Sequence, residues 1–412
     1  MPVSLSLAEQ ILLSAWLPTA ASQMRLHQLL TNQSSQLEWY ALIERAEFNY
    51  AVPLLRYNLA QSGLLSGLPE TARRQMEESS QTWAARHLAC VHETERLCVA
   101  LSAAGIKAIP LKGAALMLGG YYPQVGLRPA IDLDLLVDPA RLADAEQIAQ
   151  ICEYDVLPGR THARARQRLA NELNHAAVRR GPNGLLLELH TRAFHYVRTG
   201  RDFSFAEISQ RAQLTTSPTG ASLYLPASAD LALHLVHHTL VDLQSTPAIL
   251  RTLADLHFIL LRDGAAKEQL LALGRAFGFS GTISTALQAA HLLATSDLVG
   301  IERALQRGDG CALLLETALL EKPLPLADAA RLFEYFDLSR APLRKLGNLA
   351  SLLFTNRAHL AQLYGESALH KPTAHYLRRP FDLLRKFNWA SLQPSTLRRV
   401  RRLRKLTSQQ MD

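Results

Sequence analysis

The sequence predicts an α+β protein: a small mixed β-sheet with its helices, embedded in a mostly α-helical chain. Three observations predict it. Apolar residues recur at helical spacing through residues 1–104 and again from about residue 203 onward. Between them the texture changes to short apolar runs bounded by Gly, Pro and Asn, which is the composition of strands and turns. Within that middle stretch, Arg128-Pro-Ala-Ile-Asp-Leu-Asp-Leu-Leu-Val137 alternates acids with aliphatic residues. As a strand it presents Asp132 and Asp134 on one face and turns Ile131, Leu133, Leu135 and Val137 to a core.

Taken in order, Leu5–Trp16 and Leu37–Ala46 carry helical spacing, and Pro53 fits the first turn of a helix through Leu64. Pro69–Ala104 is one long helical pattern closed by Gly105. Ile106–Leu111 reads as a short strand, Lys112–Leu118 as a tight turn entering a helix, and residues 119–130 as a Gly/Tyr/Pro-containing loop. Pro139–Ile151 is an amphipathic helix. Asn174–Arg180 and Leu185–His190 flank Gly181-Pro-Asn-Gly184, a turn signal that predicts a β-hairpin. Asp230–Leu243 and Thr246–Arg262 read as helices. The organisation expected is an N-terminal helical region (1–104), an α/β core that holds the chemistry (105–200), a C-terminal helical domain (201–370) and a basic tail (371–412).

Bulk properties narrow the class. Apolar residues make up 48% and charged residues 19%, as in ordinary globular proteins. No run of about 18 uncharged apolar residues occurs, so no membrane-spanning helix is expected. Met1–Gln10 lacks a basic segment ahead of an apolar one, so a signal peptide is not expected and a cytoplasmic location is. Cys90, Cys98, Cys152 and Cys311 have no zinc-site spacing and read as buried thiols. The net charge of +8 is a C-terminal feature: residues 371–406 hold eleven Lys or Arg against the single acid Asp382. That segment, with Tyr376, Phe381, Phe387 and Trp389 interleaved, suits an anionic partner such as nucleic acid or lipid, or a terminal helix docked on the body.

The acid pair carries the chemistry. Two carboxylates side by side repel one another and need a partner when desolvated, and the usual partner is a divalent metal. The pattern points to Mg²⁺ and phosphates. On Leu185–His190, Glu188 and His190 share one strand face. Glu188 on a neighbouring strand would complete a set of three acids able to hold two Mg²⁺ roughly 3.5–4 Å apart for phosphoryl or nucleotidyl transfer. Glu188 is also a candidate base, and His190 shares the proposed metal face. Lys112, Gly113 and Ala114 form the turn where backbone N–H groups would approach a phosphate, and Arg128 and Lys112 are candidate triphosphate contacts. His175 is a weaker candidate on the partner strand. His234 and His238 are four apart, but Leu235 stands where a zinc protease has Glu, so helix packing is expected. Arg251 and Asp255 read as a helix salt bridge.

The order of these pieces resembles the nucleotidyltransferase superfamily that includes DNA polymerase β. There a Gly-[Gly/Ser] turn precedes a hydrophobic-Asp-hydrophobic-[Asp/Glu] strand, and a third acid lies on a later strand. The chain is closer still to a bacterial branch described as uncharacterised nucleotidyltransferases, through Leu111-Lys-Gly-Ala114, Tyr121-Tyr122, Arg128, Asp132-Leu-Asp-Leu-Leu-Val137 and Glu188-Leu-His190. The resemblance covers roughly residues 50–262, including Leu250-Arg-Thr-Leu-Ala-Asp255. Ala114 departs from it by removing a turn hydroxyl, and Gly113 lies nineteen residues before Asp132, a longer gap than the superfamily pattern. The resemblance implies a nucleotidyltransferase-like fold and transfer of a nucleoside monophosphate from a nucleoside triphosphate (NTP) donor to an acceptor hydroxyl or phosphate. The acceptor, whether protein, metabolite, sugar or nucleic acid, is left open. Two alternatives remain at this point: a glycosyltransferase using Asp-x-Asp to grip a metal-bound sugar nucleotide, and a catalytically inactive scaffold that keeps the fold.

Overall fold

The structure is a computed structural model describing residues 5–33, 38–157, 178–194, 203–217, 219–241, 246–319, 373–378, 381 and 393–408. The N-terminal part is helical: α1 (Leu7–Ala15), α2 (Ala20–Gln33), α3 (Trp39–Phe48), α4 (Val52–Gln61) and α5 (Glu70–Ala103). A reciprocal cap starts α1, with the Glu9 N–H donating to Ser6 Oγ (3.3 Å) and the Ser6 N–H to the Glu9 carboxylate (2.8 Å). Pro53 sits in the first turn of α4, where its missing N–H costs nothing.

The sheet follows. β1 (Ala108–Pro110) leads into α6 (Lys112–Leu118), then β2 (Asp132–Val137), α7 (Leu142–Ile151), β3 (Asp155–Val156), β4 (Arg179–Arg180) and β5 (Leu186–His190). The strand order is β1-β2-β5-β4-β3. β1 runs antiparallel to β2, and β4 to both of its neighbours, whereas β2 and β5 are parallel. The expected hairpin is present, closed by Gly181 N–H to Leu185 O at 2.9 Å. Residues 174–177 of its first strand, His175 included, lie outside the described residues.

β2 divides two cores. Leu133, Leu135 and Val137 join Leu187 and Leu189 in a cluster with Cys98 and Leu101 of α5 and Ala145 and Ala149 of α7. On the opposite side, Leu136 joins a larger cluster that includes α1, α3, α4 and the later helices. Trp16 and Thr19 tie the N-terminal helices to those later ones by donating to the carbonyls of Leu250 and Ala294. Ile131 departs from expectation: it lies just before the strand and is exposed rather than buried.

Helices were expected throughout from residue 203, but a β-hairpin intervenes. After α8 (Phe205–Arg211), β6 (Gln213–Thr216) pairs antiparallel with β7 (Ser222–Leu225). Thr215 and Thr216 favour extended backbone, and Ser217 N–H bonds Ala221 O at 2.8 Å to close the turn. The helices resume as α9 (Ser228–Val236), a π-helical turn (His237–Val241), α10 (Thr246–Arg262), α11 (Ala266–Phe277), α12 (Ser280–Ala294), α13 (Leu298–Arg307) and α14 (Gly310–Ala318). In the basic tail, α15 (Pro394–Ser408) docks one face on the body: Val400 is fully buried, Arg399 donates to Thr317 Oγ1 at 2.8 Å, and Arg402 pairs with Glu316. Phe387 and Trp389 lie outside the described residues. Among the described residues, no helix is long and apolar enough to cross a membrane.

Candidate active site

Strand register places the acids. In the parallel pair, Asp134 stands directly opposite Glu188, with Asp132 opposite Leu186 and Leu136 opposite His190. Like charges directly opposed across strands are unfavourable. Lys112 and His190 answer them here. Lys112 Nζ donates to Asp134 Oδ1 at 2.7 Å, and His190 Nε2 lies 2.7 Å from the same oxygen and 3.6 Å from Glu188 Oε2. Asp134 Oδ2 is buried and accepts no hydrogen bond from the described residues. Ligand atoms of Asp134, Glu188 and His190 all fall within 4.8 Å of one another; Asp132 shares the face but not this tight group.

The sequence builds this locally. Leu111 extends the β1 edge by donating its N–H to Asp134 O at 2.9 Å. Lys112 then turns into α6 with φ +46°, a left-handed conformation costly for a side chain of this size, and this carries its ammonium to Asp134. The turn was expected to lean on Gly113, but Lys112 takes the unusual backbone angle. Gly113 is needed for space: a Cβ there would lie 2.7 Å from Arg128 Nη1 and 2.9 Å from Ala130 Cβ. Ala114 is buried in the same helix turn.

Burial and neighbours set the charge states. Burial pushes the Asp134 carboxyl up, but Lys112 and His190 outweigh it and hold it well below the usual carboxylate range. Burial opposes the Lys112 charge, and Asp134, Asp132 and Glu188 more than restore it. Burial likewise opposes the His190 charge, yet its hydrogen bonds to Asp134 and Glu188 raise its pKa and favour imidazolium. The Asp132 carboxyl is raised, by burial first and by the Asp134 carboxylate second.

Arg128 is engaged by protein groups. Its Nε and Nη2 bond the Asp255 carboxylate at 3.2 and 2.9 Å, and Nη1 bonds Pro129 O at 3.0 Å. Tyr122 hydroxyl donates to the same carboxylate at 2.6 Å. This buried junction pins the 119–130 loop, just before the acid strand, to α10. Asp255 is thus engaged by Arg128 rather than by Arg251, its expected partner.

Sequence reasoning assigned His234 and His238 to helix packing and Arg251 to a helix salt bridge, and the helices bring all three to this region. His234 is fully buried, its Nδ1 2.9 Å from Ala193 O, and its Nε2 has no hydrogen-bond partner among the described residues. Burial, then the charges of Lys112 and His190, push its pKa down to about 3. His238 is lowered by burial and by Lys112 as well. Arg251 feels Arg128, Asp255 and Asp132 and lies over the Tyr50 ring at 5.5 Å. Spacing alone gave no signal that α9 and α10 meet the acid face.

A small five-stranded mixed sheet with a β2–β5 acid face, set in a helical chain, is a nucleotidyltransferase-like architecture. Residues 35–295 match the model of the family described as "Uncharacterised nucleotidyltransferase", and the chain belongs to that family. No curated protein and no solved structure matches it. An Asp-x-Asp glycosyltransferase would need a nucleotide-binding α/β unit ahead of the acid pair; the described residues before Ala108 contain helices and no strand.

Proposed function

We propose that this protein is a metal-dependent nucleotidyltransferase that moves a nucleoside monophosphate from an NTP to an acceptor hydroxyl or phosphate, releasing pyrophosphate. The observation that carries the reading is the buried, unpartnered Asp134 Oδ2 beside Glu188. A buried carboxylate oxygen without a donor is unfavourable unless a cation completes it, and carboxylate oxygens suit Mg²⁺. Asp134 and Glu188 would hold one or two such ions, with Asp132 completing the acidic face. When bound, the metal supplies Lewis-acid polarisation of phosphate oxygens.

The chain's own groups do the rest. Lys112 and His190 fix the Asp134 carboxylate through Oδ1, which leaves Oδ2 presented in one orientation. Asp132 and Glu188 are the partly exposed acids, and Glu188 is the group to take the proton of the acceptor as its oxygen attacks the α-phosphorus. The bond broken is that between the α-phosphorus and the oxygen leading to pyrophosphate.

One observation favours the inactive-scaffold reading: Lys112 already supplies Asp134 with a cation. The deciding experiment is a thermal shift of the full chain against the four NTPs and UDP-sugars, with and without Mg²⁺, beside Asp134→Asn. A ligand that binds the folded state raises the midpoint. A Mg²⁺-dependent rise with an NTP that Asp134→Asn abolishes is the result expected. No rise with any nucleotide leaves the scaffold, and a rise with UDP-sugars alone replaces the donor class.

A further inference from the structure

Charge is unevenly matched where α10 meets the 119–130 loop. Asp255 lies four residues after Arg251, within reach for an ordinary helix pair. Its carboxylate is instead saturated by Arg128 and the Tyr122 hydroxyl. Arg251 is left partly exposed, and among the described residues it makes no hydrogen bond and no ion pair. Its recorded contact is the Tyr50 ring, 5.5 Å from the guanidinium carbon. Tyr50 is itself fixed by an edge-on contact with Trp83 at 5.7 Å.

An arginine stacked on an aromatic ring keeps its donors in a fixed plane and spends none of them on the ring. In-plane N–H pairs of this kind match the oxygens of a phosphate. A second guanidinium, Arg128, bonds the same Asp255, and burial first and Arg128 second lower Arg251, so two guanidinium charges stand against one carboxylate. The excess lies beside the acid face: Arg128, bonded to Asp255 one helical turn from Arg251, packs against Gly113, whose neighbour Lys112 bonds Asp134. An anion bridging Arg251 to metal-bearing carboxylates is a polyphosphate.

We propose that Arg251, held over the Tyr50 ring, binds the terminal phosphates of a nucleoside triphosphate at this site. The nucleoside part rests on the nucleotidyltransferase reading; the anion site rests on the unspent guanidinium. Arg251 thereby takes the role that the engagement of Arg128 with Asp255 leaves open. It makes the site selective for a triphosphate over a monophosphate.

The test is calorimetric titration of the full chain and of Arg251→Gln and Arg251→Lys. Each is titrated in Mg²⁺ with inorganic tripolyphosphate, with the NTP giving the largest thermal shift, and with its monophosphate. Arg251→Gln is expected to weaken tripolyphosphate and NTP on the order of 10- to 100-fold, as loss of a charge-assisted bond pair implies, and to leave the monophosphate unchanged. Arg251→Lys, which keeps charge and loses the fork, is expected to fall between. If Arg251→Gln fails to fold, the lysine variant decides. A folded variant that binds both polyphosphates like the wild type overturns the proposal and leaves the nucleotidyltransferase reading standing. Arg251-dependent tripolyphosphate binding without nucleotide binding sinks that reading and keeps the anion site. A wild-type chain that binds neither overturns both.

Discussion

Replacing Arg128 by methionine separates a structural strut from a phosphate contact. The Arg128 side chain is 6% exposed and Asp255 is 0% exposed, so the substitution strands a fully buried carboxylate with one remaining donor, the Tyr122 hydroxyl. Removing one partner of such a pair costs about 3–5 kcal/mol. With an unfolding entropy of about 2.1 cal/mol/K per residue over 412 residues, the midpoint would drop by roughly 3–6 °C if the chain unfolds as one unit. Adding Asp255→Asn removes the stranded charge and keeps an acceptor for Tyr122. The double variant should therefore recover about 2 kcal/mol relative to the sum of the two singles. Urea unfolding followed by circular dichroism reads the stability, and nucleotide titration of the folded variants reads the site. If Arg128→Met stays within about 1 kcal/mol of the wild type while polyphosphate affinity collapses, Arg128 contacts the ligand and the strut argument is wrong.

Two further outcomes follow from the same geometry. Gly113→Ala places a methyl 2.7 Å from Arg128 Nη1 and should cost about 1–3 kcal/mol, a penalty that shrinks in the Arg128→Met background; equal penalties in both backgrounds would count against the close approach. His87 accepts the Gly126 N–H through Nδ1, and burial, then Arg128, lower its pKa from 6.5 to about 4. The unfolded chain takes up this proton first, so the His87 contribution is complete above pH 6.5 and is lost as the pH falls toward 4. Urea midpoints across that range should fall less steeply in His87→Gln than in the wild type.

The strand Asp132–Val137, the long helix α5 and the hairpin around Gly181–Gly184 were legible because each carries its own periodicity or turn residues. The β6–β7 hairpin was not, since four-residue strands carry too little alternation to stand out against helical neighbours. The acids and His190 were legible because strand alternation fixes which residues share a face. Arg251, His234 and the engagement of Arg128 with Asp255 were not. They depend on how α9 packs against α6 and α10 against the 119–130 loop, and spacing within a helix favoured the wrong partner for Asp255.

Direction of approach to the site follows from the one feature of the sheet that alternation could not reveal, the parallel pairing of β2 with β5. Along one face of β2, Asp132 is partly exposed, Asp134 is 1% exposed and Leu136 is fully buried in the larger core. Along the same face of β5, Leu186 and Glu188 are partly exposed and His190 is buried. Because the strands run the same way, the two gradients align: the partly exposed Asp132 and Leu186 fall at one end, Asp134 and Glu188 stand one step in, and Leu136 and His190 close the other. An antiparallel register would have set the buried end of one strand beside the open end of the other, and the acids would not share a mouth. On the proposed nucleotidyltransferase reading, a donor would therefore enter from the Asp132 end, the partly exposed end of the face. Asp134 lies one step deeper, where low solvent access strengthens every charge it meets.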